Sequence, residues 1–227
     1  MTSRKISVLF FLFFIPIHFI QSQHSYKAAK DIVNSLVHTK LKVGFNFEEK
    51  TLQGEEWVTL KPHFYDTKTL ELDAKAMLIH EISMDEKPLE YTYDNLKIKI
   101  ELPKVYQRDQ EYTIYIKYTA RPEKVQQKGS AAITSAKGLY FINPSGLDTE
   151  KPTQIWTQGE TESSSCWFPT IDAPNQKTSQ ELYITVPNKF VTLSNGTLEK
   201  QIENTNGTRT DYWNFTKKHA PYLFLWE

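Results

Sequence analysis

An all-β, antiparallel sandwich or multi-sheet domain preceded by a signal peptide is the architecture this sequence predicts, and three observations point to it. Short runs alternate apolar and polar residues with a period of two, turn-forming residues separate them, and no long stretch carries a helical period.

The elements follow in chain order. Residues 1–22 have the layout of a secretory signal: Arg4 and Lys5 give a positive start, Ile6 to Ile20 form the apolar run, and Ser22 is a small residue at the cut. The run is short for a membrane span and Pro16 interrupts it, so membrane association is expected only if the segment stays uncleaved. Residues 23–37 read as a short linker or helix, and 38–227 as one β domain. Thr39, Leu41, Val43, Phe45 and Phe47 alternate with polar partners, as in a strand with one wet face. Further strands are expected at Trp57–Phe64 and Thr69–Ile79. Tyr91–Tyr93 and Leu96–Ile100 flank a turn at Asp94-Asn95. Tyr112 to Tyr118 alternates again. Gly138–Ile142, Gln154–Gln158, Glu181–Val186, Phe190–Ser194, Thr210–Phe215 and Tyr222–Trp226 complete the set, and Asn195-Gly196 carries the residues of a tight hairpin turn. Residues 126–136 read as a polar loop. The apolar end, Pro221 to Trp226, suggests a strand that continues into something else.

Composition narrows the function. The 27 basic residues balance 27 acidic ones, which gives no footprint for nucleic acid. Cys166 is the only cysteine, so no intrachain disulfide exists and its expected role is packing. His80-Glu81 begins like the zinc motif H-E-x-x-H, but the fifth position is Met84 and the segment reads as strand. The six histidines are scattered, and no metal site is expected in this chain. The pairs Glu48-Glu49 and Glu55-Glu56 read as solvated charge. Three Asn-x-Thr triplets begin at Asn195, Asn206 and Asn214, and they read as turn chemistry.

One stretch stands out. Thr157, Gln158 and Glu160 are followed by Phe168, Pro169, Asp172, Pro174 and Lys177. Gly138-Leu139-Tyr140-Phe141 precedes it. Val186-Pro187, Leu193-Ser194-Asn195-Gly196 and His219-Ala220-Pro221-Tyr222-Leu223 follow. From about Thr39 to the end, this pattern resembles the N-terminal domain of the aminopeptidase N family of zinc metallopeptidases, relatives of the leukotriene hydrolases. The resemblance implies a β-saddle lying against a helical zinc catalytic domain. The family's G-x-M-E-N and H-E-x-x-H motifs do not occur in this chain, so no catalytic residue is expected in it, and zinc is expected only in a full-length member. It further implies that Gln158 and Glu160 bind substrate, Glu160 holding the free α-ammonium of a peptide N-terminus and Gln158 lining the pocket for the first side chain. The expected role is substrate recognition in a secreted or periplasmic aminopeptidase. The rival role is a non-catalytic binding or scaffold protein built on the same domain.

Overall fold

The computed structural model describes residues 31–126 and 135–227. The signal segment 1–22, most of the linker and most of the 126–136 loop lie outside the described residues.

Thirteen strands and three 3-10 turns account for the regular structure, with no α-helix among the described residues. Eight strands form the large sheet, in the order β12-β13-β11-β1-β2-β8-β4-β5. These are β1 (Asn34–Asn46), β2 (Thr51–Pro62), β4 (Met77–Met84), β5 (Lys87–Pro88), β8 (Tyr112–Ala120), β11 (Thr178–Pro187), β12 (Thr197–Glu203) and β13 (Thr208–His219). A three-stranded sheet joins β3 (Thr67–Asp73), β7 (Lys97–Tyr106) and β6 (Tyr91–Tyr93), and a two-stranded one pairs β9 (Leu139–Ile142) with β10 (Gln154–Thr157). Pairing is antiparallel except between β1 and β11, which run parallel with Leu41 opposite Leu182. Parallel neighbours need a long crossover, and the intervening chain supplies it.

Alternation sets the two faces of the large sheet. Leu41, Val43, Val58, Leu60, Ile114, Ile116, Leu182 and Ile184 turn inward, into one core shared with Leu70 and Leu72 of β3 and Ile98 and Ile100 of β7. The outer face carries cross-strand aromatic and lysine contacts. Tyr183 stacks on Tyr212 at 4.4 Å, and Lys40 and Lys42 lie over Trp57 at 5.2 and 5.0 Å. Cross-strand pairs of this kind stabilise a sheet face.

Several expectations need correction. β1 starts at Asn34, inside the expected linker. The Asn34 side chain is buried, donating to the Thr69 carbonyl at 3.0 Å and accepting from the Tyr112 hydroxyl at 2.6 Å. The run Thr69–Ile79 is two strands in different sheets. The chain breaks at Ala74–Ala76, where Ala76 takes a positive φ of 55°. Phe190–Ser194 and Tyr222–Trp226 are not strands: they meet in one bridge, Ser194 to Trp226, and Pro221 opens a 3-10 turn. The hairpin turn lies at Asn206-Gly207, between β12 and β13, not at Asn195-Gly196. There the Asn195 side chain is taken up by the Leu225 N–H at 2.7 Å. Glu56 is not solvated. Its place in β2 is in phase with Gly54, Val58 and Leu60, so it faces the core and has no exposed surface. The turn at Asp94-Asn95 is as expected, with Asp94 Oδ1 accepting the N–H groups of Leu96 and Lys97.

Candidate functional site

Gln158 and Glu160 lie just past the end of β10. The β9–β10 ladder is extended by one bond, from the Gln158 N–H to the Gly138 carbonyl at 2.9 Å. Gly138 has φ +71°, and a Cβ there would run into the Ser163 backbone; only glycine satisfies both demands. The chain then turns. Gln158 Oε1 accepts the Glu160 N–H at 2.9 Å, which fixes the Gln158 side chain across the turn. Gly159 between them is buried against the backbone of Tyr222, which leaves no room for a Cβ. Glu160 itself is exposed.

Beneath this tip the chain is buried and polar. Ser163, Ser164 and Ser165 are fully buried, and each hydroxyl has a partner. Ser163 Oγ donates to the Glu160 carbonyl at 3.2 Å and Ser164 Oγ to the Pro221 carbonyl at 2.8 Å. Ser165 donates twice to Asp172 Oδ2, from its N–H at 2.9 Å and its hydroxyl at 2.8 Å. The β3–β4 connection clamps the other side. The Lys75 N–H donates to the Ser165 carbonyl at 2.7 Å, and the Lys75 ammonium to the Glu162 carbonyl. Asp73 and Thr170 exchange backbone bonds at 2.7 and 3.0 Å, and the Asp172 N–H reaches Asp73 Oδ2 at 3.1 Å. Trp167 and Phe168, fully buried, anchor the turn in an aromatic cluster: Trp167 meets Trp226 edge-on at 5.9 Å and Phe168 packs on Phe224 at 5.0 Å.

Burial pushes the Asp172 carboxyl up to about 6, opposed by the two Ser165 bonds and by Lys75. Burial pushes the Cys166 thiol up to about 12. A thiol so raised is no nucleophile near neutrality, which agrees with a packing role. His80 is exposed and bonds Thr119 Oγ1 across the sheet at 2.8 Å. Among the described residues no three of His, Cys, Asp and Glu gather where they could hold a metal ion. The described residues therefore do not form a zinc centre. The tip has the means to bind a cation: one exposed carboxylate on a loop fixed from below.

The structure brings Gln158 and Glu160 together, as their spacing suggests. It keeps both apart from the apolar cavity of about 320 Å³ lined by Phe45, Phe47, Ile155, Phe190 and Trp226. Sequence reasoning missed Asp73 and Lys75 because they sit some 90 residues upstream, on a connection it read as strand. Three consecutive serines give no sign of burial by residue type alone. The signal that could have corrected this is their position directly before Cys166-Trp167-Phe168, which must go inside.

A profile of the peptidase M1 N-terminal domain matches residues 26–223. The fold is similar to solved M1 zinc metallopeptidases. A mutant from Deinococcus radiodurans superposes with a TM-score of 0.73 at 16% identity, over 86% of this chain and 42% of that one. A mutant from the same organism bound to a Tyr-ser-ala substrate gives 0.72 at 15%, over 85% and 42%. A two-domain mutant bound to L-arginine gives 0.72 at 16%, over 85% and 42%. This chain thus spans less than half the length of the structures it matches, and at such identities the likeness is one of fold.

Proposed function

The chain belongs to the peptidase M1 N-terminal domain family, and from that premise we propose that it is the substrate-recognition domain of a secreted zinc aminopeptidase. In this reading Glu160 holds the free α-ammonium of a peptide and Gln158 lines the pocket for its first side chain. The observation that carries it is the tip itself, where an exposed carboxylate stands two residues from an amide that its own backbone orients. A carboxylate gives an ammonium a charge-assisted hydrogen bond, about twice as strong as a neutral one.

The catalytic zinc and the groups that hold it belong to a second, helical domain; this chain contributes binding and orientation only. An exposed apolar strip elsewhere on the domain supports a docking face for the second domain. Val191, 88% exposed, and Leu193 and Leu225, at 53% and 47%, alternate with the inward Thr192, Ser194 and Trp226. Apolar strips of this kind mark contact surfaces. An in-frame or frame-shifted H-E-x-x-H helix in the coding region downstream of Glu227 would support this reading, and a clean stop with no such region nearby would favour a scaffold. Export follows from the 1–22 segment, and N-terminal sequencing of the natural protein should begin at Gln23.

The functional test compares Glu160→Ala with Glu162→Ala in a polypeptide that joins this chain to its zinc domain. Glu160→Ala should raise KM and lower kcat/KM for free-N-terminus substrates by about 10- to 150-fold, the worth of one hydrogen bond to a charged group. Zinc content should stay constant. Glu162, two residues on and also exposed, should tolerate alanine. Wild-type kinetics in both variants would sink the assignment.

A further inference from the structure

The centre of the large sheet holds a titratable group that the recognition role does not use. Glu56 lies on the inward face of β2, with Leu41 of β1 and Ile116 of β8 as its cross-strand neighbours and Gly54 and Val58 in phase on its own strand. Neither carboxyl oxygen has a hydrogen-bond partner, and the side chain has no exposed surface. Two residues beyond Ile116, the Tyr118 ring fills the space above Gly54, and its hydroxyl is likewise buried and unpartnered. The charged residues nearby in sequence, Lys42, Glu55 and Lys117, occupy the alternate positions, on the opposite face of the sheet.

We propose that Glu56 is a proton-binding site of the folded domain, carried as the neutral acid and protonated as the chain folds. An ionised carboxylate without partners in an apolar layer is far costlier than the acid. Burial drives the Glu56 carboxyl well above its ordinary value, and among the described residues no cation offsets the effect. Among the described residues Tyr118 is the titratable group coupled to it: burial pushes the phenol up and keeps it neutral, and an ionised Glu56 would push it further the same way. The sign follows from linkage. A carboxyl raised in the folded state lends stability that is complete below its unfolded value, near 4.5, and is lost as pH rises towards the folded value. The folded domain therefore loses stability as the medium turns from acid to neutral or alkaline.

The test is urea unfolding of the chain and of Glu56→Gln at about pH 5 and about pH 8. Glutamine keeps the shape and does not titrate. While the acid binds one more proton folded than unfolded, the folded-to-unfolded ratio falls about tenfold per pH unit. Wild type should lose that ratio relative to Glu56→Gln by at least about tenfold between the two pH values. A gap that is equal at both overturns the proposal. Should Glu56→Gln fail to fold, infrared spectra of Asp172→Asn decide it. With the other raised carboxyl removed, a protonated carboxylic-acid band should persist at neutral pH, and its absence in the folded protein overturns the proposal.

Discussion

β12 is a regular strand whose seven residues all face water, whereas Ser163–Asp172 contains no strand and is buried at every position but Ile171. The strand is an edge. It pairs with β13 alone, and Glu199, Lys200 and Glu203 keep other chains from adding to it. The loop can be buried because most of its polar groups find partners within the protein: serine hydroxyls reach carbonyls and Asp172, and backbone groups reach Asp73 and Lys75, while Trp167 Nε1 and Thr170 Oγ1 are left without one. Regular structure and burial are thus separate properties here. The irregular segment is the one that supports Gln158 and Glu160.

Substitutions can break or sharpen this contrast. The largest loss should come from Phe168→Ala. Removing a fully buried ring from the Phe224 and Trp167 contacts should cost about 3–5 kcal/mol in denaturant unfolding. Next is Asp172→Ala, which leaves the Ser165 N–H and hydroxyl buried without an acceptor. A loss of about 2–3 kcal/mol is expected, and a loss as small as a surface change would mean the clamp is idle. The pH dependence at this position has a definite sign. The Asp172 carboxyl rises from 3.8 to about 6 on folding, so the stability it lends declines as pH climbs through that window. Asp172→Asn should gain stability relative to wild type over the same range, and a relative loss by Asp172→Asn as pH rises would contradict the burial account. The smallest effect belongs to the exposed strand. Ile202→Thr should stay within about 0.5 kcal/mol.

How far the sequence disclosed these features depends on what each residue type signals. Strands with one buried face were legible in outline, because alternation at Leu41–Phe45 or Tyr112–Tyr118 reports the face directly. β12 was not: Thr197 to Glu203 buries nothing, and its only reason to be a strand is its partner. The phase of β2 held the clue to Glu56, yet glutamate reads as surface unless its register is followed residue by residue. Gln158, Glu160 and Asp172 stood out through the family pattern. Asp73 and Lys75 did not, because backbone carbonyls and a distant turn leave no mark in composition or spacing.

The claim underlying the functional reading is that Gln158 and Glu160 ride on a rigid loop, and native-state amide hydrogen exchange on the chain tests it directly. The N–H groups of Ser165, Trp167, Phe168 and Asp172, bonded and buried, should exchange as slowly as those in the middle of β1 and β2, while β12 exchanges much faster. Loop amides that exchange as fast as those of β12 would contradict a pre-set recognition tip.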